Sequence, residues 1–163
     1  ALNASVELRS VRGTRVIPLA QFFTGYKQTA LAGDELLTKI LIPPRAVDLH
    51  FAALKVSKRR DQDISAVMAV FAWELTDGIL RNVRLGFGGM AATPKLAEVT
   101  QSKLEGKQLS PAVIDAAVAA LEHDFNPIDD LRASAWYRME VSGNLLRATL
   151  VQGLEDRLGV AAA

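Results

Sequence analysis

The stretch Phe51–Leu75, FAALKVSKRRDQDISAVMAVFAWEL, decides the fold. Two apolar runs flank one polar connection, Lys58-Arg59-Arg60-Asp61-Gln62-Asp63, and neither run contains glycine or proline. Both runs read as strands. A tight hairpin spends only about two to five residues on its turn, usually with Gly or Asn, and this connection has neither. It is therefore either a solvated tip or a set of charges that faces something charged. Phe51, Ala53 and Lys55 share one phase of the strand alternation, which places Lys55 at a sheet edge or pointing into a cleft.

Downstream, Thr76-Asp77-Gly78 is an Asp-Gly turn signal that leads into a third strand, ILRNVRLGFGG. Helical patterning follows. Thr93-Pro94 predicts a capped start for KLAEVTQSKL, which Gly106 stops, and Ser110-Pro111 repeats the signal for AVIDAAVAALEHDF. Val113, Ala116, Ala117 and Leu121 form the apolar stripe of that second helix. A polar connection then leads to a long helix from about Ala133, in which Gly143 and Gly153 are each expected to cost ~1 kcal/mol relative to alanine.

Upstream, ALNASVELRSV and TRVIPL form a hairpin through Arg12-Gly13, where Gly13 supplies a positive φ. Pro18 ends the second strand. AQFFTGYKQTAL has no clear period and bends at Gly25-Tyr26, while LLTKILI is a strand closed by Pro43-Pro44. Strands first and helices afterwards make the chain α+β: a hairpin, then a three-stranded antiparallel sheet, then a C-terminal helical bundle. The alternation begins at the first residues without an initiator methionine, so we expect a C-terminal piece of a longer polypeptide.

Composition narrows the functional classes. The chain has 163 residues, half of them apolar, a net charge of +1 and no cysteine. The near-neutral charge argues against nucleic-acid binding. The lack of cysteine excludes disulfides, thiolate metal sites and a cysteine nucleophile within these residues. No apolar run reaches the roughly 18–20 residues that span a bilayer, so no membrane segment is expected and a cytoplasmic location is. Histidine is limited to His50 and His123, both read as surface residues, and no metalloprotease, nucleophile-elbow or calcium-loop motif occurs. GFGGM, Gly86–Met90, lacks the signatures of a phosphate loop and reads as a strand end that bends and lets another backbone approach. Arg132, Trp136, Tyr137 and Arg138 could bind something planar or anionic, but they read as a helix packing on the sheet with its arginines capping or snorkelling.

Four of these segments stand in an order that resembles a known family. FFTGYKQTALAGDELLTKILIP, FAALKVSKRRDQDISAV, LGFGGMA and DLRASAWYRMEVSGNLL together resemble the FAD-binding portion of xanthine dehydrogenases. More broadly they are similar to the flavin subunit of the molybdenum hydroxylases, including the carbon monoxide dehydrogenase flavoprotein C-terminal domain. The resemblance implies that residues 1–44 are the last part of the FAD-binding subdomain. Residues 45–163 would be the C-terminal module, with the sheet over 50–91 and helices over 93–158. It implies FAD shared with an upstream portion, since the pyrophosphate-binding loops are not among these residues. The molybdenum cofactor and 2Fe-2S clusters would lie on other domains or subunits.

By position, the resemblance makes Leu37 a flavin contact, Lys55 a lysine beside the isoalloxazine, and Tyr26 a tyrosine near the flavin and nicotinamide entrance. Lys58, Arg59, Arg60, Asp61, Gln62 and Asp63 become a loop that affects access for NAD, with Arg60 helping to position it. The implied partners are the upstream FAD and iron–sulfur portion, the molybdenum-cofactor large subunit, and NAD as acceptor. The implied activity is a xanthine dehydrogenase that passes electrons from purine hydroxylation through iron–sulfur clusters and FAD to NAD. These residues alone would be inactive and contain no catalytic residue. The alternatives are the flavin subunit of a carbon monoxide or aldehyde dehydrogenase, or a docking module without catalysis.

Overall fold

The computed structural model describes residues 1–59 and 64–158, with side chains through residue 156. Strands β1 (Ser5–Ser10) and β2 (Gly13–Pro18) form the expected hairpin, and Gly13 has φ 140° at its turn. A two-stranded ribbon follows, β3 (Phe23–Gly25) with β4 (Gln28–Thr29), and then β5 (Leu36–Leu41). Strand β5 returns beside β1, so the first sheet has the order β2-β1-β5, all antiparallel. The inward phase of β1 gives Val6 and Leu8, which pack with Phe22, Ile17 and Leu19 into a small core. The segment without a clear period thus contains a ribbon, and Phe22 ties it to the hairpin.

The remaining strands are β6 (Leu49–Val56), β7 (Val67–Thr76), β8 (Ile79–Gly88) and β9 (Lys95–Leu96). They make a second antiparallel sheet of order β6-β7-β8-β9. The three-strand meander is as expected, and β9 adds a short fourth strand. This corrects the helix start expected at Thr93-Pro94. Lys95 and Leu96 pair with Phe87 and Gly86, and the Ala97 N–H donates to the Leu85 carbonyl, so edge pairing holds the backbone extended past the proline. Helix α1 (Glu98–Leu104) begins three residues later. Its first turn is capped from a distance: Asp124 accepts from the N–H groups of Val99 and Thr100 and from the Thr100 hydroxyl, at 2.9, 2.8 and 2.7 Å.

Helix α2 (Pro111–Asp124) starts where Ser110-Pro111 predicts, and the Ser110 hydroxyl accepts from the Val113 N–H. Helix α3 (Ala135–Leu158) opens two residues later than expected, behind Ser134, whose hydroxyl accepts from the Tyr137 N–H. Its glycines are packing contacts. A Cβ on Gly143 would lie 3.2 Å from Val118 of α2, and one on Gly153 would lie 3.2 Å from the Trp73 ring. The helices cover one face of the second sheet, burying Ala69, Phe71 and Trp73 of β7 and Leu85 and Phe87 of β8 against Leu104, Ile114, Leu121, Leu146 and Leu150. The side chains of opposite phase form the other face.

Candidate functional site

The strand register defines that second face. Side chains of directly paired residues lie on the same side of a sheet. Three rows follow: Phe51, Ala72 and Arg84; Ala53, Val70 and Gly86; Lys55, Met68 and Gly88. At the Phe51 end the face is covered. The Arg45 guanidinium lies over the Phe51 ring, 5.8 Å from its centroid, and Arg84 Nε donates to the Ala1 carbonyl at 2.5 Å. Toward the Lys55 end the floor is made of Ala53 and Gly88, with Met68 and Val70 between them. Gly86 is covered: a Cβ there would meet the Ala1 backbone nitrogen at 3.6 Å and the Leu96 side chain at 3.8 Å. A Cβ on Gly88 would stand in ordinary contact with Met68, at 3.6 Å. A flat ring can therefore approach the backbone of β8 there, with a cation at one end of the floor. Lys55 is exposed on β6, the edge strand of its sheet.

Beside that end the chain bends into the polar connection. Lys58 and Arg59 line a cleft of about 670 Å³ together with Asp130, Leu131 and Arg132 from the segment before α3. Asp130 organises this wall. Its Oδ1 accepts from the N–H groups of Arg132 and Ala133 at 2.8 and 3.1 Å, and from Arg138 Nη2 at 2.6 Å. The Arg132 N–H first, then the Ala133 N–H and the Arg138 guanidinium, lower the Asp130 pKa to about 2 against an opposing desolvation.

The start of β5 is fixed by a second carboxylate. Arg15 donates Nε and Nη2 to the two oxygens of Glu35 at 2.7 and 2.8 Å, and the Ala32 N–H adds a third bond at 2.8 Å. These bonds, those from Arg15 foremost, lower the Glu35 pKa to about 2. Leu36, Leu37, Ile40, Leu41 and Ile42 are nevertheless exposed, Leu36 by 72%.

Comparison with known proteins now bears on this arrangement. Residues 52–152 match the family model for the CO dehydrogenase flavoprotein C-terminal domain, and residues 1–45 match the FAD binding domain in molybdopterin dehydrogenase. This chain belongs to the molybdenum hydroxylase flavoprotein family. The nicotinate hydroxylase hnxS of Emericella nidulans is 38% identical over 132 residues, covering 77% of this chain and 10% of that protein. The nicotine 6-hydroxylase medium subunit of Paenarthrobacter nicotinovorans is 32% identical over 152 residues, 93% of this chain and 53% of that subunit. A crystal structure of Cu,Mo-CO dehydrogenase in its cyanide-inactivated form superposes with a TM-score of 0.82 at 31% identity, over 90% of this chain and 51% of that one. The chain therefore spans about half the length of that medium subunit and of that structure. The α+β fold expected from the sequence is the flavoprotein fold.

The residues singled out from the sequence fall in three places. Lys55 stands on the small-residue face. Lys58 and Arg59 line the adjoining cleft, whereas Arg60, Asp61, Gln62 and Asp63 lie outside the described residues. Leu37 sits on β5 opposite Leu8. Tyr26 is 70% exposed in the β3–β4 turn, where the Lys27 ammonium lies 5.5 Å from its ring centroid. Leu37 and Tyr26 thus belong to sheets that share no strand with the one carrying Lys55.

Two sequence readings need correction. His50 stacks on Trp73, with centroids 5.7 Å apart and planes 6° apart, because β6–β7 pairing sets the two side by side. The Arg132–Arg138 cluster divides: Arg138 is buried as a packing residue, but Trp136 is 71% exposed and Tyr137 also faces solvent. The helix turn separates them, since neighbours in sequence point to different sides. The glycine-rich strand end does admit a close backbone: Gly89 has φ 82°, and a Cβ there would run into the Ala66 carbonyl oxygen. The floor of Ala53 and Gly88 was missed; its signal is a glycine of β8 in phase with Lys55.

Proposed function

We propose that this chain is part of the FAD domain of a cytoplasmic molybdenum hydroxylase that oxidises a nitrogen heteroaromatic ring, a purine in the xanthine dehydrogenase reading, and delivers the electrons to NAD. The observation that carries the reading is Lys55 at the end of a flat, small-residue sheet face inside the family match. Residues 1–44 are then the last part of the FAD-binding subdomain, and residues 45–163 are the C-terminal module. The upstream FAD and iron–sulfur portion and a molybdenum-cofactor subunit are the partners. When bound, FAD would supply the change from one-electron transfer by the iron–sulfur clusters to hydride transfer to the nicotinamide.

The residues have distinct tasks. Ala53 and Gly88 leave room for a planar group, and Met68 and Val70 give it an apolar surface that keeps water off one side. Lys55 holds a positive charge where negative charge accumulates on reduction, which raises the cofactor's potential. Leu37 packs its apolar side chain on the cofactor while its strand offers backbone hydrogen bonds. Tyr26 presents a flat face and a hydroxyl to a nicotinamide or adenine ring. Lys58 and Arg59, at the start of the Lys58–Asp63 loop, attract the anionic dinucleotide into the adjoining cleft. The nitrogen-heteroaromatic substrate is supported by the nicotinate and nicotine hydroxylases among the similar proteins.

The test is Lys55→Met in the complete enzyme. Reduction of the flavin by the iron–sulfur clusters, and with it NAD turnover, should slow by about tenfold, while substrate oxidation with an artificial electron acceptor keeps its rate. Unchanged NAD turnover would refute the assignment of Lys55.

A further inference from the structure

The small-residue face depends on a side chain that belongs to neither the face nor the cleft. Arg138, in the first turn of α3, is 3% exposed. Its Nη1 donates to the carbonyl of Ala66 and, at 2.8 Å, to that of Gly89, and its Nη2 donates to Asp130 at 2.6 Å. Nε has no protein acceptor among the described residues, so the guanidinium is held through its terminal nitrogens alone. Ala66 immediately precedes β7 and Gly89 immediately follows β8. Two residues into β7, Met68 pairs with both Lys55 and Gly88. One buried cation thus joins the β7 and β8 backbones just beyond the Lys55 row, at one end of the sheet. The carboxylate it also holds, Asp130, lines the cleft with Lys58 and Arg59.

A packing arginine does not need this arrangement. Two carbonyls brought to one nitrogen, one from the residue before β7 and one from the residue after β8, fix the spacing of the paired strand ends beside Met68 and Gly88. Gly89 is the residue that lets them meet, since any Cβ there would strike the Ala66 carbonyl oxygen. A charged donor makes such bonds short and directional. The fork of the guanidinium lets a single side chain serve three acceptors, which an ammonium on a flexible stem does not reproduce.

We infer that Arg138 is a positioning residue for the flavin site: by clamping Ala66, Gly89 and Asp130 it sets where Lys55 and the Met68–Gly88 floor stand relative to the bound cofactor. The inference rests on the proposed role of Lys55 and adds to it a residue that touches neither cofactor nor substrate.

The experiment is a double-mutant cycle on the FAD midpoint potential in the complete flavin subunit. It uses Lys55→Met, Arg138→Lys and the double variant, with FAD content measured for each. Asp130→Asn serves as a second, milder way to loosen the clamp should Arg138→Lys fold poorly. Lys55→Met should lower the potential by the equivalent of about tenfold in the reduction equilibrium, ~30 mV for a two-electron couple. Arg138→Lys should lower it by about threefold when Lys55 is present and leave it unmoved when Lys55 is already methionine. Asp130→Asn should follow the same pattern with a smaller shift.

An Arg138→Lys shift of equal size in both backgrounds, or no shift beside a normal Lys55→Met effect, would overturn the inference and leave the function reading intact. A silent Lys55→Met variant with full FAD content would remove the assigned role of Lys55, and the inference with it.

Discussion

The two sheets solve the same problem to very different degrees. The second sheet buries one face completely, with Phe71, Trp73, Leu80, Leu85, Leu146 and Leu150 at most 2% exposed. The first has only Val6, Leu8 and Phe22 as its buried centre, while the apolar side chains of β5 stand in solvent. Ion pairs supplement the small core of the first sheet. Arg12–Asp34, Arg15–Glu35 and Lys39–Glu7 link the hairpin to β5 or to the turn before it. The exposed Arg12–Asp34 pair contributes little, in a class with a median of roughly 0–1 kcal/mol, whereas Glu35 is buried beneath its arginine. The contrast shows that an amphipathic sheet can be fully paired along its strands and still be unfinished across its face. The second sheet has its apolar core beneath the helices, whereas Leu36, Leu37, Ile40 and Leu41 of the first remain exposed.

The largest effect should come from the finished side. Phe71→Ala removes a fully buried ring and is expected to cost about 3–5 kcal/mol, with a proportional fall in the urea midpoint and unchanged slope. Removing the distant cap by Asp124→Ala should cost about 1–3 kcal/mol, because buried N–H groups lose their acceptor. Amide exchange at Val99 and Thr100 should rise first in that variant.

The fold was legible where the signal is local. The Asp77-Gly78 turn, the Ser110-Pro111 start and the strand alternation about Phe71 depend on neighbours within a few residues. Contacts across long separations were not legible. Strand β9 exists because Leu96 meets Gly86, and nothing near Pro94 announces that. The bend of β8 at Asn82, which has φ 53°, is stabilised by Glu105, whose carboxylate accepts from the N–H groups of Asn82 and Val83. Arg138 binds carbonyls 72 and 49 residues away. The candidate site was legible only in part and for a similar reason. Lys55 showed its phase within the strand, but Tyr26 and Leu37 came from family resemblance, because no local pattern distinguishes a residue that contacts a cofactor from any exposed one.

Acid sharpens the comparison. The Glu35 pKa is lowered from 4.5 to about 2, so its ionised, bonded form stabilises the fold above about pH 4.5 and that contribution is lost as pH falls toward 2. Amides of β1 and β5 should therefore lose exchange protection between pH 4.5 and 2. In Arg15→Met, which removes the donor responsible for most of the shift, protection should be lower already at neutral pH and the further loss between pH 4.5 and 2 should shrink. Asp130, lowered from 3.8 to about 2, places the wall of the Lys58–Arg59 cleft under the same sign and a neighbouring window.

The smallest effect on stability should come from β5 itself. Leu36→Ser exchanges an exposed apolar side chain for a polar one and should change the stability of this chain by less than about 0.5 kcal/mol. The same substitution in the complete subunit should cost more if the upstream portion covers that strand, and the difference between the two measurements reports the covering.

The proposed function places the face of Ala53, Gly88 and Lys55 against the flavin. Gly88→Val tests it most directly, because a Cβ there meets only Met68 at ordinary contact distance, 3.6 Å, and the fold should survive. The measurement is the visible absorption of FAD released on denaturing the complete subunit. The account predicts a folded protein that retains well under one FAD per subunit. One FAD per subunit, with an unchanged spectrum before denaturation, would contradict it.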